Sequence, residues 1–357
     1  MKRILLLVND VTTVLQFRCE LIRAFVEEGN EVIVSVPKND RICEIEELGA
    51  TVIETEVSRH GKNPFKDLKL RRNYKKLIKE IQPDIVLTFT VKPNIYGGMA
   101  CKSLGVPYVA NVTGLGVVGK KGILQKLMLT LYKKGLKNAQ CIFFQNQANR
   151  EFFKIKKVVC KNDSLLPGSG VNIEKFKYIE YPTEETTNIV FVGRIIADKG
   201  VYELAQVAKT LSDRKDIKFT VVGDVEYGSE NPFDKLSNVE CVGYHKNIIP
   251  FIEKANAIIL PSYHEGMANV LLEGAACGRP ILASNIAGCK ETFDEGISGF
   301  GFEKQNVDSL LEVVTRFCEL DNEQKRQMGI RGREKIETQF DRKIVIQKYL
   351  EQINKDK

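Results

Sequence analysis

The chain has 357 residues, 43% of them hydrophobic and 28% charged, with a formal net charge of +7; these are globular proportions that exclude wholesale disorder. No stretch reaches the roughly 18 apolar residues of a membrane span, and the run 4–8 is too short for the apolar core of a signal peptide. The nine cysteines are scattered without a C-x-x-C pair, which excludes a disulfide framework, leaves no zinc signature and makes a reducing cytoplasm the expected compartment.

In chain order, strand-length apolar runs alternate with segments of helical spacing. RILLLV (3–8) is near-continuous, as strands buried on both faces of a parallel sheet are. Helical spacing over 13–28 stops at Gly29. EVIVSV is a second strand, 41–48 a short helix ended by Gly49, and TVIETE a third strand. A helix over 66–81 leads through Pro83 to the strand DIVLTF, and 94–104 is a helix ended by Gly105 before the strand PYVANV. CIFF at Cys141–Phe144 also has strand length.

The second half repeats this alternation. NIVFVGRI, IKFTVVG, VECVGY, AIILPS and PILAS read as strands, with helices over 200–214 and 269–277 and a final helical segment over 341–354. Such alternation, with glycines closing the helices, means βαβ units, right-handed crossovers and parallel sheets. The expected fold class is α/β with two Rossmann-like, doubly wound domains, 1–178 and 179–338, and a C-terminal helix over 339–357. The polar stretch 167–188 supplies the linker. Two such domains imply a cleft between the carboxyl edges of their sheets, where ligands bind at switch points.

The charge is uneven. Residues 1–180 hold 30 Lys+Arg against 18 Asp+Glu, residues 181–357 hold 23 against 28, and 59–161 hold 22 against 4. Such asymmetry points to an anionic surface as a partner of the first half. Nucleic acid fits the charge, but no zinc finger, RNP-like aromatic motif or helix-turn-helix signature accompanies it. In KKGILQKLMLTLYKKGLK (120–137), Ile123, Leu124, Leu127, Met128, Leu131 and Leu136 recur at helical spacing among six lysines. This is the pattern of a basic amphipathic helix on an anionic membrane leaflet; the alternative is a core-packed helix with one wet face.

Three segments carry chemistry. In PSYHEGMANVLLE (261–273), which follows the strand AIIL, Glu265 and Glu273 are eight residues apart and Gly266 permits a sharp turn between them. A helix starting near Asn269 would leave the amides of Ala268, Asn269 and Val270 free for an anion such as phosphate. The two carboxylates would then bind hydroxyls of a sugar or ribose. The competing reading is a loop carboxylate and a solvated helix residue. In FVGRIIADKG, Gly193 ends the first strand of the second half, and Arg194 and Lys199 fall in the first strand–helix loop, the usual phosphate position. Together they could stabilise a departing diphosphate without a metal. In SNIAGCKETFDEGISGF, Gly288 permits close approach of backbone to a ligand, Glu291 could open the next helix, and EGISGF turns into a short strand.

Together these segments resemble the C-terminal domain of family-four retaining glycosyltransferases of the GT-B fold. Glu265 and Glu273 match that family's E-x7-E element, FVGRIIADKG its G-R-x-x-x-x-K-G loop, and AGCKE its G-G-x-x-E-like loop. SRHGKNPF, NVTGLGVV and PGSGVNIEKF are similar to segments of bacterial transferases that extend lipid-linked oligosaccharides, N-acetylgalactosaminyl transferases among them, so the resemblance covers nearly the whole chain. It implies two domains facing across a cleft, with the C-terminal helix crossing back to the first. It implies a retaining hexosyl or N-acetylhexosaminyl transfer from a UDP-sugar to a polyprenyl-diphosphate-linked glycan, in capsule, O-antigen or another surface polysaccharide.

By the same resemblance Arg194 and Lys199 hold the donor diphosphate, Glu273 the ribose and Glu265 the donor sugar on the catalytic side. Asn269 and Val270 meet phosphate through their backbone, and Gly193, Gly266, Met267 and Ala268 complete the donor set. No metal and no cofactor beyond the UDP-sugar substrate is expected, nor is nucleic acid a partner. The protein would be cytoplasmic and peripheral at the inner face of the cell membrane. Candidate acceptor contacts are Asn9, Arg59, Asn63, Asn111, Thr113, Gly114, Lys120 and Lys121. Two departures stand out: VNDVTT replaces a Gly-Gly turn after the first strand, and no histidine follows PYVANV. They put a protein base on the acceptor side in doubt, with Asp10 and His60 as remaining helpers. A 2-epimerase on the same fold and a non-enzymatic basic adaptor are the rival readings.

Overall fold

The computed structural model of the protein describes residues 1–57, 64–115, 122–158, 162–226, 228 and 230–355. The chain forms two units, Met1–Ser169 with Lys343–Lys357, and Gly170–Arg342.

The first unit is built on β1 (Arg3–Leu7), β2 (Glu31–Val36), β3 (Thr51–Glu54), β4 (Ile85–Phe89), β5 (Tyr108–Val112), β6 (Cys141–Phe144) and β7 (Asp163–Leu165). They pair in the order β3-β2-β1-β4-β5-β6-β7, every pair parallel. Side chains alternate across a strand, so β1 sends Ile4 and Leu6 to one helix layer and Leu5 and Leu7 to the other. That explains why RILLLV is apolar without interruption. The short strand β7 escaped the sequence reading because DSL has no apolar run.

Two expected helices are interrupted. The segment 13–28 is two helices, Val11–Phe17 and Cys19–Glu27, joined at Arg18. The Arg18 guanidinium lies 4.7 Å from the Phe89 ring centroid and donates to Ser169 Oγ at 2.9 Å. The segment 94–104 opens as a π turn, Pro93–Gly97, before the helix Gly98–Leu104. Asn94 is buried there: its Oδ1 accepts from Thr88 Oγ1, and its Nδ2 donates to the Asn111 carbonyl at 2.8 Å. A Cβ on Gly98 would lie 2.1 Å from the Gly135 carbonyl oxygen, so glycine lets this segment touch the helix Ile123–Leu136 backbone to backbone.

The C-terminal helix Arg342–Ile353 packs on the first unit. Val345, Tyr349 and Ile353, four residues apart, enter its core. The Tyr349 ring meets Phe143 edge-on at 4.9 Å, and its hydroxyl accepts from Asn111 Nδ2 at 2.6 Å.

The second unit contains β8 (Thr187–Val192), β9 (Ile217–Val222), β10 (Val239–Gly243), β11 (Ala257–Leu260), β12 (Ile281–Ser284) and β13 (Gly299–Phe302). Their order, β10-β9-β8-β11-β12-β13, all parallel, repeats the order of the first six strands. The division between units falls at 169/170, not at the expected 178/179. Residues 170–181 pack with the second unit: Val171 N–H donates to the Phe340 carbonyl at 2.9 Å, Phe176 is buried in its core, and Tyr181 donates to the Asn256 carbonyl at 3.0 Å. A Gly- and Pro-rich stretch resembles a linker, yet these apolar anchors tie it down.

Candidate active site

In the second unit the loops after β8, β11 and β12 meet at the carboxyl edge of the sheet. The loop after β8 runs from Gly193 through a turn at Ala197–Lys199 to Gly200, and the helix Val201–Thr210 begins there. Gly200 has φ +69°, and a Cβ on it would stand 2.0 Å from the Pro261 carbonyl oxygen. Only glycine allows that approach. It brings Lys199 to the loop after β11, where its Nζ bonds Glu265 Oε1 at 2.5 Å with the side chains 24% and 13% exposed. Ser262, fully buried, donates its hydroxyl to the same oxygen at 2.8 Å. Tyr263 donates to Glu203 at 2.7 Å and so ties the loop to the helix Val201–Thr210.

Gly288, which the sequence leaves open between a ligand loop and a plain turn, closely approaches protein: a Cβ there would lie 2.8 Å from the Gly266 carbonyl oxygen and 2.9 Å from that of Glu265. Its N–H donates to Glu291 Oε2 at 2.7 Å, so Glu291 pins the turn. Its carbonyl accepts from Ala268 N–H at 2.8 Å. Ala268 is therefore not a free amide, which corrects the sequence expectation. The helix Asn269–Ala276 starts one residue later without a side-chain cap, and the amides of Asn269 and Val270 stand in its uncapped first turn. Met267 and Ala268 are core residues at 6% and 3% exposure. Gly193 donates its N–H to the Val222 carbonyl at 3.0 Å.

Glu273 lies one turn into that helix. Burial pushes its carboxyl up to about 7, against the downward pull of the Lys175 and Arg342 cations. The structure thus brings Lys199, Glu265, Gly266 and the start of the Asn269 helix together. Arg194 is in the same β8 loop, exposed, and makes no ion pair among the described residues. Ser262, Gly200 and the Glu203–Tyr263 pair escaped the sequence reading. Their one signal was position: a serine three residues before Glu265, and a glycine directly after Lys199.

In the first unit, Asn9, Thr113 and Gly114 are partly exposed at the carboxyl edge. Asn111 does not join them. It is 1% exposed and commits its amide to Tyr349, so it anchors the C-terminal helix rather than an acceptor. The reason is the strand period, which turns this position of β5 toward the helix layer. Asp10 accepts from Thr12 N–H at 3.2 Å and caps the first helix. Arg59, His60, Asn63, Lys120 and Lys121 lie outside the described residues. Thr90, at the end of the central strand β4, has φ +72° and a buried hydroxyl that finds no hydrogen-bond partner among the described residues. A β-branched residue in that region is strained, as functional positions often are. Among the described residues no group of three His, Cys, Asp or Glu side chains is placed to hold a metal, and eight cysteines form no disulfide.

Comparison with known proteins matches both halves. The family described as "Glycosyl transferases group 1" matches residues 186–319, and "Glycosyl transferase 4-like" matches 3–146. The chain is 29% identical over 362 residues to the Campylobacter jejuni N,N'-diacetylbacillosaminyl-diphospho-undecaprenol alpha-1,3-N-acetylgalactosaminyltransferase, covering 95% of this chain and 94% of the relative. It is 27% identical to the Escherichia coli UDP-Gal:alpha-D-GlcNAc-diphosphoundecaprenol alpha-1,3-galactosyltransferase, over 71% of this chain and 70% of the relative. Among solved structures, a Rickettsia africae glycosyltransferase superposes with a TM-score of 0.80 at 20% identity, covering 98% of this chain and 97% of its own. Anabaena HepE in complex with UDP and glucose superposes at 0.81 and 16%, covering 99% and 100%. These matches leave the epimerase and adaptor readings without support. With a charged pair and an uncapped helix at one sheet edge, and both family halves present in order, the chain belongs to the family-four glycosyltransferases of the GT-B fold.

Proposed function

We propose that this glycosyltransferase moves a hexose or N-acetylhexosamine from a UDP-sugar to a polyprenyl-diphosphate-linked saccharide, with retention, in bacterial surface polysaccharide synthesis. The observation that carries the reading is the Lys199–Glu265–Ser262 cluster beside the uncapped amides of Asn269 and Val270. An uncapped helix start and a cation suit a diphosphate. A carboxylate held by Lys199 and Ser262 suits the hydroxyls of the attached sugar. The names of the two relatives above, both acting on diphospho-undecaprenol-linked sugars, agree with it.

In the transfer, the bond from the sugar's anomeric carbon to the diphosphate oxygen breaks, and a bond to the acceptor oxygen forms on the same face. The acceptor proton passes to the leaving phosphate oxygen, so no protein base is required. Arg194 and Lys199 hold the negative charge that develops on the leaving group, in place of a metal. Glu273 takes the ribose hydroxyls. The partners are the UDP-sugar, the lipid-linked acceptor and an anionic membrane surface, with the protein peripheral at its cytoplasmic face. No helix among the described residues is long and apolar enough to cross a membrane. The test is a panel of UDP-sugars offered with a membrane-lipid extract and read by mass spectrometry. A mass increment of one hexose or N-acetylhexosamine on a polyprenyl-diphosphate glycan is expected; donor turnover with no lipid-linked product would refute the reading.

A further inference from the structure

Two helices of the first unit expose large apolar side chains at the same place. On the helix Pro64–Ile81, Phe65 is 82% and Leu68 51% exposed; on Ile123–Leu136, Ile123 is 88% and Leu127 55% exposed. All four lie in the first turn or two. Both helices follow a strand of one parallel sheet, β3 and β5, so both begin at its carboxyl edge. Both also pack on the same face, through Leu70 and Tyr74 from one and Tyr132 and Leu136 from the other. The segment Pro93–Leu104 sits against both. The apolar tips therefore form one patch at one end of one face.

The far half of the Ile123 helix answers the alternative raised by its sequence. Tyr132, Gly135 and Leu136 are buried, and Tyr108 donates to the Gly135 carbonyl at 2.6 Å. That half is packed on the core, while the first half projects Ile123 and Leu127. Around the apolar tips the exposed side chains are mostly basic: Lys66, Lys69 and Arg72 on one helix, with Lys69 paired to the exposed Glu56 at 3.1 Å, and Lys126 on the other. Exposed apolar residues ringed by cations match a surface that is oily inside and anionic at its boundary.

We infer that this patch docks the first unit on an anionic lipid bilayer, with the carboxyl edge of its sheet toward the membrane. Phe65, Leu68, Ile123 and Leu127 enter the boundary of the acyl chains, and the lysines and arginine meet the headgroups. The inference deepens the reading of a lipid-linked acceptor, because the edge that holds Asn9, Thr113 and Gly114 then faces the surface from which that acceptor emerges. The exposed Ile155, 76% exposed at the far end of the helix Gln147–Ile155, lies at the opposite edge of the sheet and takes no part.

The test is co-sedimentation of the full chain with phosphatidylglycerol vesicles and with neutral phosphatidylcholine vesicles. The chain should bind the anionic vesicles, and raised salt should weaken binding. The triple variant Leu68→Ser, Ile123→Ser, Leu127→Ser should lower it about tenfold or more. Lys66→Glu with Lys126→Glu should lower it on the order of tenfold, and Ile155→Ser should not change it. Equal binding by the triple variant, or equal binding to neutral vesicles, overturns the inference. So does a triple variant that changes only the oligomeric state, which would make a second copy the occupant. Transfer to a short-chain, detergent-dispersed acceptor should persist in the triple variant. Absence of transfer by the unaltered chain refutes the proposed reaction, while the vesicle result still decides the docking face.

Discussion

The two units share a strand order and differ at their carboxyl edges. In the second, three loops are drawn together by glycines whose Cβ atoms would strike neighbouring backbone, at Gly200 against Pro261 and at Gly288 against Glu265 and Gly266. In the first, the same edge offers a strained threonine and helix starts with exposed apolar residues. One scaffold thus supports a tightly knit, charged site in one copy and an outward-facing, basic surface in the other. Strand order sets where a site can form, and the loops set its chemistry.

The sharpest way to break this contrast is at Glu265. Glu265→Gln should lower transfer by about 10³-fold, as loss of a positioned polar group does. Because it releases Lys199 from its ion pair, UDP should bind roughly tenfold tighter. Calorimetry beside a transfer assay checks both; unchanged turnover would remove Glu265 from the site.

Glu273 comes next. In the unfolded chain its carboxyl deprotonates near the ordinary 4.5, and in the folded unit near 7, because burial opposes charge. Between these values the folded form holds more protons, so its contribution to stability is lost as pH rises through that window. Glu273→Gln, which cannot ionise, should match the parent below pH 4.5 and exceed it by up to about 3 kcal/mol at pH 8. Thermal melts across pH check it.

In the first unit the expected effects are smaller. Tyr349→Phe removes the hydroxyl that accepts from the buried Asn111 amide and should cost about 1–3 kcal/mol of unfolding free energy in a denaturant titration. Thr90→Gly relieves the positive φ and should stabilise by about 1 kcal/mol. If the strain positions the acceptor, KM for acceptor should rise with no change in UDP affinity; a change in neither would make Thr90 a turn residue only.

Every strand but β7 was legible, because each carries an apolar run of strand length. The Glu265–Glu273 spacing and the FVGRIIADKG loop were legible because each lies within one short stretch. Arg279 shows what was not. Its side chain is fully buried, and its guanidinium donates to the carbonyls of Ile252, Ile179, Glu180 and Glu253. In CGRPIL it reads as an ordinary surface cation, since nothing nearby in the chain announces four distant carbonyls.

The amino-acid order by itself determined the βαβ alternation, the spacing of the two glutamates and the basic character of the first half, all properties of short stretches. Tertiary structure alone decided that Tyr349, 238 residues away, meets the inward Asn111, and that Lys199 meets Glu265 across 66 residues. It also decided that Ala268 spends its amide on Gly288 and that only the first half of a lysine-rich helix stays uncovered. Helix and strand period depend on near neighbours. Which polar group finds a partner depends on how whole sheets and helices pack, and no local pattern encodes that.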